Sequence, residues 1–286
     1  MMKRVLAFVT ALVLATAVVA TAAGSEPAAG GGQAEQAPAL LFVLTGQSNA
    51  GQQGKPGQVA AAAVAPVAGA WYRAPQHTKA QGIVAMQPWR GAFGAELSFA
   101  RAVRAACPGR EVVVAKVYAG GTSIVAWSPD APNSQWKYDL AQVGNAGKAP
   151  QYPKVLEAAA QAAARFGRPV RPAGVLWIQA ERDSRYDYGA ARYEGNLREL
   201  VAALRADWGG PGMPFVAIDS HTQLDSGGAV VHRAIANVAE SMPGVGWVQT
   251  RDLGTSDGIH FDSAGVVTLG QRLAAEWLRL AGGCGS

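Results

Sequence analysis

The stretch that decides the fold reads ALLFVLTGQSNAG, residues 39–51. Every position from 39 to 45 is apolar or β-branched, which is typical of a strand buried in a parallel sheet. Small residues follow at once, and in open α/β sheets ligands bind at the carboxyl ends of the strands. The stretch therefore predicts an α/β fold in which a sharp turn holds the Ser48 hydroxyl clear of the sheet.

Outward from this strand, apolar runs alternate with helical patterns. The alternation predicts a three-layer α/β/α sandwich around a parallel sheet of about five strands. A length of 286 residues fits one domain of this class, which we place at residues 39–282. We expect strands at residues 39–45, 111–118, 174–179, 214–219 and 246–250. We expect helices at residues 95–106, 154–166, 190–207, 229–241 and 264–280.

The composition excludes several classes of protein. Apolar residues make up 49% of the chain and charged residues 16%, so the chain can bury a large core and is not a disordered protein. The formal net charge is +5, and the sequence has no long basic run interleaved with aromatic residues. A nucleic-acid partner is therefore not expected.

The N-terminus has the parts of a secretory signal: Lys3 and Arg4, an apolar run over residues 5–20, and small residues after it. We assign residues 1–23 to a signal peptide and residues 24–38, which lack large apolar side chains, to a flexible linker. An uncleaved membrane anchor is the alternative. With cleavage, we expect a secreted or periplasmic protein without stable membrane insertion.

The chain has only two cysteines, Cys107 and Cys284. A disulfide bond between them would persist in an oxidising compartment. A frayed C-terminal tail that leaves Cys284 unbridged fits the sequence equally well.

Two long Gly- and Pro-rich segments, residues 52–94 and 128–150, are predicted to be loops. Loops of this length often form the walls of a ligand cleft. The tryptophans in these segments, together with Trp127 directly before the second one, either stack on a ligand or pack in the core. These residues are Trp71, Trp89, Trp127 and Trp136.

Three further strand ends carry chemically useful side chains: AGGTSI at residues 119–124, WIQAERD at 177–183 and DGIHFD at 257–262. Together with Ser48 they supply a hydroxyl nucleophile, an imidazole base, a carboxylate to orient it and donors for an oxyanion, which are the parts of acyl transfer. The histidines are not accompanied by a metal-binding motif such as H-E-x-x-H. Neither a catalytic metal nor another cofactor is expected.

The order of GQSN, GGTS, WxQxExD and DxxH resembles the SGNH hydrolases, in the branch of sialate O-acetylesterases and acetylxylan esterases. The resemblance spans most of residues 41–280. The sequence departs from the family pattern at Ala180, where the family usually has Gly, and at Ala50, where it often has Met.

The resemblance implies the roles of the main site residues. Ser48 would be the nucleophile and His260 its base. The oxyanion hole would consist of the N–H groups of Ser48 and Gly121 together with the Gln179 side chain. The reaction would be two-step hydrolysis of O-acetyl esters on carbohydrate, of the acetylxylan or O-acetylated sialic acid type, through an acetyl-serine. An esterase or lipase acting on non-sugar esters, and a catalytically silent carbohydrate-binding protein, are the alternatives.

The acid that orients His260 is left open between two carboxylates. Asp257 lies three residues before the histidine and can reach it within one loop, whereas Glu181 depends on how the third strand ends. We favour Asp257. Glu181, Asp183 and Asn49 remain candidates for a helper acid or for substrate binding.

Overall fold

Apolar runs form one sheet in the computed structural model, which describes residues 37–74, 82–219 and 226–284. Its strands are β1 (Ala39–Gly46), β2 (Ala70–Arg73), β3 (Val84–Ala85), β4 (Val112–Tyr118), β5 (Val170–Ile178), β6 (Phe215–Ile218) and β7 (Val245–Val248). They lie in the order β3-β2-β4-β1-β5-β6-β7. All neighbouring pairs are parallel except β2 with β3.

The α-helices of the described residues cover both faces of this sheet. They are α1 (Ala61–Val64), α2 (Ala95–Ala106), α3 (Ser134–Gln142), α4 (Tyr152–Phe166), α5 (Glu181–Ser184), α6 (Asp187–Leu204), α7 (Ser226–Ser241) and α8 (Ser263–Leu280). Three short 3-10 segments and a π-helical turn complete the set: Ser48–Ala50, Pro56–Gln58, Ile124–Trp127 and Arg205–Gly209.

The side chains of β1 alternate between two hydrophobic cores. Leu41 and Val43 pack into a core shared with α4, α6 and α7. Leu40 and Phe42 pack into the opposite core, which contains apolar residues of α2 and α8. Because a strand buried on both faces must present apolar residues in both directions, the unbroken apolar run at 39–44 is explained. The predicted three-layer α/β/α sandwich is confirmed.

The sheet has seven strands among the described residues rather than about five. All five predicted strands are present, and the two additional strands, β2 and β3, lie in the segment predicted as a loop, residues 52–94. They are only four and two residues long, and β2 is held by pairing with β4, a tertiary contact that local sequence does not reveal. The segment at 128–150 likewise contains α3.

The first turn of α3 is capped by Asn133, whose side chain accepts a hydrogen bond from the Trp136 N–H. Trp127 and Trp136 are both buried in the core, and neither lines the pocket in front of Ser48. Their indole N–H groups donate within the protein, to Thr122 Oγ1 and the Val125 carbonyl respectively. For these two tryptophans the packing alternative is correct.

Cys107 and Cys284 form a disulfide bond that joins the end of α2 to the segment after α8. The predicted signal peptide lies outside the described residues, as does the linker except for residues 37 and 38. Across the described parts of the chain, no helix combines the length and apolar character needed to cross a membrane.

Candidate active site

β1 ends in a turn that glycine alone can enter without strain. Gly46 adopts a φ of +137°, and a Cβ atom there would lie 2.0 Å from the backbone oxygen of Ile178 on β5. The 3-10 segment that follows begins with Ser48, whose carbonyl accepts from the Gly51 N–H (2.8 Å) and from Gln53 Nε2 (2.7 Å). These contacts fix Ser48 at the carboxyl end of the sheet.

The side chains of Ser48, His260 and Asp257 lie in a hydrogen-bonded row. Ser48 Oγ is 2.9 Å from His260 Nε2, and His260 Nδ1 is 2.7 Å from Asp257 Oδ2. The other Asp257 oxygen accepts from the N–H groups of His260 (2.7 Å) and Ile259 (2.9 Å). The imidazole and these N–H groups hold the pKa of Asp257 well below its usual range. An ionised Asp257 favours the proton on Nδ1, which leaves Nε2 to accept from Ser48.

Asn49 joins the serine turn to the histidine loop. Its Nδ2 donates to the Ile259 carbonyl (3.0 Å) and to Glu181 Oε1 (2.6 Å), while its Oδ1 accepts from the Phe261 N–H (3.1 Å). The bonds to 259 and 261 flank His260 on both sides. Asn49 is buried, so it positions His260 rather than reaching a substrate, in contrast to the substrate-binding role considered from sequence.

The glycine pair after β4 lies against Ser48: a Cβ atom on Gly120 would be 4.0 Å from the Ser48 Cβ. The Gly120 carbonyl accepts from Lys148 Nζ at 3.0 Å. Because the C=O and N–H of a trans peptide point in opposite directions, this bond turns the Gly121 N–H away from Lys148. Neither this N–H nor that of Ser48 has an acceptor within the described residues, so both are free to bind an oxyanion.

Gln179 is not at the pocket. Its side chain is fully buried, and its Nε2 donates to Asp183 Oδ2 (2.6 Å) and to the Thr122 carbonyl (3.0 Å), while its Oε1 accepts from the Tyr193 hydroxyl (2.9 Å). Both amide hydrogens are therefore engaged inside the protein. This geometry disagrees with the expectation that Gln179 donates to the oxyanion, because the buried carboxylate of Asp183 holds its amide.

Gln47, the residue before Ser48, lines the pocket, whereas Gln179 does not. Its Oε1 accepts from the Arg182 N–H (3.2 Å), which fixes the orientation of the amide, and lies 3.4 Å from Gln179 Nε2. Its Nε2 has no acceptor among the described residues and is not enclosed by them. The sequence does not indicate that Gln47 offers an amide donor to the pocket, because there it is recognisable only as a residue of the turn after the first strand.

Asp183 is a buried structural carboxylate rather than a substrate ligand. It accepts from the Ser123 hydroxyl, the Ile124 N–H (2.9 Å) and Gln179 Nε2 (2.6 Å). Burial raises the pKa of Asp183 to about 6, although these hydrogen bonds act in the opposite direction. Asp183 thereby ties the segment after β4, which carries Gly121, to the end of β5.

Glu181 lines the pocket, but its carboxylate is bonded to Asn49 Nδ2 (2.6 Å) and the Ala180 N–H (3.1 Å). Ala180 itself is fully buried among the apolar side chains of the core and does not line the pocket. The alanine methyl group therefore packs into the core and does not narrow the pocket.

The pocket in front of Ser48 has a volume of about 340 Å³. Two guanidinium groups lie on one side of it. Arg182 donates to the Gly121 carbonyl (2.9 Å) and the Tyr186 hydroxyl (3.1 Å). Arg185 is exposed, and its side chain has no partner within the described residues. The pocket is lined by Gln47, Ser48, Gly120, Gly121, Glu181, Arg182, Arg185, Ile259 and His260.

Within residues 37–74, 82–219 and 226–284, no group of three or more His, Cys, Asp or Glu side chains is placed to hold a metal ion. His232 lies outside the pocket, where its ring packs edge-on against Trp247. His77 and His221 are outside the described residues.

A family model described as "carbohydrate esterase, sialic acid-specific acetylesterase" matches residues 38–279. No curated protein sequence matches the chain. A protein from Arabidopsis thaliana has the same fold, with a TM-score of 0.66, 19% identity, and coverage of 85% of this chain and 99% of that one. NanS matches with a TM-score of 0.62, 15% identity and coverage of 85% and 97%. A carbohydrate acetylesterase from Xanthomonas citri matches with a TM-score of 0.60, 21% identity and coverage of 84% and 56%.

At these identities the solved structures show a shared fold. The family model extends from the start of β1 almost to the end of α8, and so includes every strand of the sheet. This chain belongs to the carbohydrate esterase family of sialic acid-specific acetylesterases, on the SGNH hydrolase fold, and is a carboxylic ester hydrolase.

Proposed function

We propose that the protein removes O-acetyl groups from carbohydrate through an acetyl-serine intermediate on Ser48. The observation that carries the proposal is the row of hydrogen bonds from Ser48 Oγ through His260 to Asp257, beside the free N–H groups of Ser48 and Gly121. A nucleophile, its base and an oriented carboxylate next to oxyanion donors are what acyl transfer requires.

In the first step, Ser48 Oγ attacks the acetyl carbonyl while His260 Nε2 takes its proton. The carbonyl oxygen becomes an oxyanion, which the N–H groups of Ser48 and Gly121 stabilise. Collapse of this intermediate breaks the bond to the sugar oxygen, which receives the proton from His260. Water then attacks the acetyl-serine by the same route, and acetate leaves.

We assign the third oxyanion donor to Gln47 rather than to Gln179. Three facts support this assignment: Gln47 lines the pocket beside Ser48, its Nε2 has no acceptor in the described part of the chain, and both Gln179 amide hydrogens are engaged elsewhere. A side-chain amide donates to a developing negative charge while staying neutral.

The arginines of the pocket favour an acetylated sugar that carries a carboxylate, which is the sialic acid type rather than acetylxylan. Arg185 offers a guanidinium without a side-chain partner at the rim, and Arg182 lies beside it, so an acidic sugar would gain charge-assisted hydrogen bonds there. The family description agrees with this choice. Xylose units have no charge for these groups to bind.

The test compares acetate release, followed by mass spectrometry, from O-acetylated sialic acid and from acetylated xylan. We expect the sialic acid ester to react faster, and Arg185→Met to remove that preference while hydrolysis of p-nitrophenyl acetate stays unchanged. A second comparison uses octanoate and acetate esters, and equal rates on the two would favour the esterase or lipase alternative. If the wild-type protein hydrolyses none of these esters, the silent carbohydrate-binding alternative is favoured.

We also propose that the protein is exported, with cleavage near residue 23. The disulfide between Cys107 and Cys284 supports this, because such bonds persist mainly in oxidising compartments. Mass measurement of the protein recovered from the culture medium and from cell fractions tests it: an intact N-terminus in the cell fraction would contradict export.

A further inference from the structure

A second cavity, of about 500 Å³, lies outside the catalytic pocket between α3 and α6. Residues 125–139 form one side of it and residues 191–199 the other. We refer to it as the α3/α6 groove. It shares no lining residue with the pocket in front of Ser48.

The lining of the groove includes a glycine that packing does not explain. Gly195 lies inside α6, where glycine is destabilising, and a Cβ atom there would meet nothing within 4 Å. Gly189 on the same helix is different, because its Cβ would come within 3.1 Å of Asp183 and Val143. Packing explains Gly189 but not Gly195, which instead keeps the groove open.

The walls of the groove carry polar groups that are not used inside the protein. The side chains of Asp130, Asn196 and Glu199 have no hydrogen-bond partner within the described residues. Carboxylate and amide groups that lie close together can form hydrogen bonds with adjacent hydroxyl groups of a sugar. Tyr138, which precedes Asp139 of the groove lining, is 55% exposed, and among the described residues it is the one large hydrophobic side chain with such exposure. Its ring offers a face for a sugar to stack on.

Two short segments of the chain lead from the catalytic pocket to the groove. The 3-10 segment at Ile124–Trp127 directly follows the glycine pair and brings Val125 to the groove. Arg185, at the pocket rim, precedes the first residue of α6 by two positions. From there Gly195 is eight residues along the helix, or about 12 Å at 1.5 Å per residue. Because only three residues separate Gly121 of the pocket from Val125 of the groove, the two sites lie on neighbouring parts of the protein.

We propose that the α3/α6 groove binds the neutral sugar units of the glycan to which the acetylated acidic sugar is attached. This rests on the proposed function. The two sites differ in net charge. The catalytic pocket is lined by two arginines and Glu181, whereas the groove is lined by three carboxylates, Asp130, Asp139 and Glu199, and one guanidinium, Arg192. Carboxylates attract hydroxyl donors but repel a second acidic sugar. The protein would then act on glycan chains in preference to free acidic sugars.

The experiment measures kcat/KM for O-acetylated sialyl-lactose, for the methyl glycoside of the same O-acetylated sialic acid, and for p-nitrophenyl acetate. We expect the wild type to prefer the trisaccharide by roughly tenfold or more, as a few added hydrogen bonds provide. Gly195→Leu, which fills the groove, should remove this preference and leave p-nitrophenyl acetate hydrolysis unchanged. Ala202→Leu is the matched control, because it adds the same side chain to an exposed position of α6 outside the groove.

Equal kcat/KM for the two sugars in the wild type would overturn the proposal, and so would a Gly195→Leu variant that keeps the preference. In both cases acetate release would leave the proposed function standing. Hydrolysis of p-nitrophenyl acetate without acetate release from either sugar would reject the sialic acid substrate itself, and with it the occupant proposed for the groove.

Discussion

The Asp257 carboxylate is bonded to the ring and to the backbone N–H of His260, whereas the Glu181 carboxylate is bonded to Asn49 and the Ala180 N–H. We therefore expect Asp257→Asn to lower kcat by about a thousandfold or more, because it removes the charge that stabilises the imidazolium. Glu181→Gln keeps an acceptor for Asn49 and should cost less. Steady-state kinetics with p-nitrophenyl acetate across pH measures both, and the assignment is wrong if Glu181→Gln is the more damaging change.

The two glutamines near the nucleophile should respond in opposite ways to truncation. Gln47→Ala should lower kcat by about a hundredfold, the usual loss for one oxyanion donor, at an unfolding temperature close to that of the wild type. Gln179→Ala should mainly lower the unfolding temperature, because it takes a donor from the buried carboxylate of Asp183. Parallel kinetics and thermal unfolding separate the two effects. A large kcat loss in Gln179→Ala at unchanged stability would return the oxyanion role to Gln179.

Among the elements, the segment at residues 177–183 connects the parts of the site. Trp177 packs in the core, Gln179 and Asp183 bind the segment after β4, and Glu181 binds Asn49 of the serine turn. Only Glu181 of these four residues lines the pocket. The motif thus acts chiefly by holding the glycine pair and the serine turn at a fixed separation.

This arrangement predicts a pH effect on stability. The native Asp183 carboxyl keeps its proton up to a pH of about 6, whereas in the unfolded chain it ionises near 3.8. Between these two pH values the native state therefore binds one more proton than the unfolded state. The Asp183 contribution to the free energy of unfolding falls as the pH rises through this range, by up to about 3 kcal/mol. Asp183→Asn should lack this fall. Urea unfolding of both proteins between pH 4 and pH 7 is the measurement, and parallel pH profiles would contradict the prediction.

The sequence predicts the elements with long apolar runs and fails where tertiary contacts decide. The strand at 39–46 is identified by its composition, whereas β2 depends on pairing with β4. The same distinction between local sequence and tertiary contacts applies to the residues of the site. Ser48, Asp257 and His260 lie in recognisable motifs, and the structure brings them into contact. The choice between Gln47 and Gln179 depends on which amide the buried Asp183 engages, and no one-dimensional pattern encodes that.

For the whole molecule, the disulfide is the covalent link between distant parts of the chain. It joins Cys107 to Cys284 across a separation of 177 residues, next to the packed pair α2 and α8. Replacing both cysteines with serine should lower the free energy of unfolding by about 2–4 kcal/mol. Neither cysteine lines the pocket, so kcat should not change. Chemical unfolding with and without reductant checks this, and a reductant effect that persists in the double variant would exclude the disulfide as its cause.

Asn49 has a consequence for the entropy of catalysis. Two of its three hydrogen bonds join the residue next to the nucleophile to both neighbours of the base, so thermal motion displaces the serine turn and the histidine loop together. The conformational entropy that must be lost to bring the Ser48 hydroxyl and the His260 imidazole together is therefore lost once, when the chain folds. It does not recur with each turnover, and an incoming ester meets a nucleophile that is already aligned.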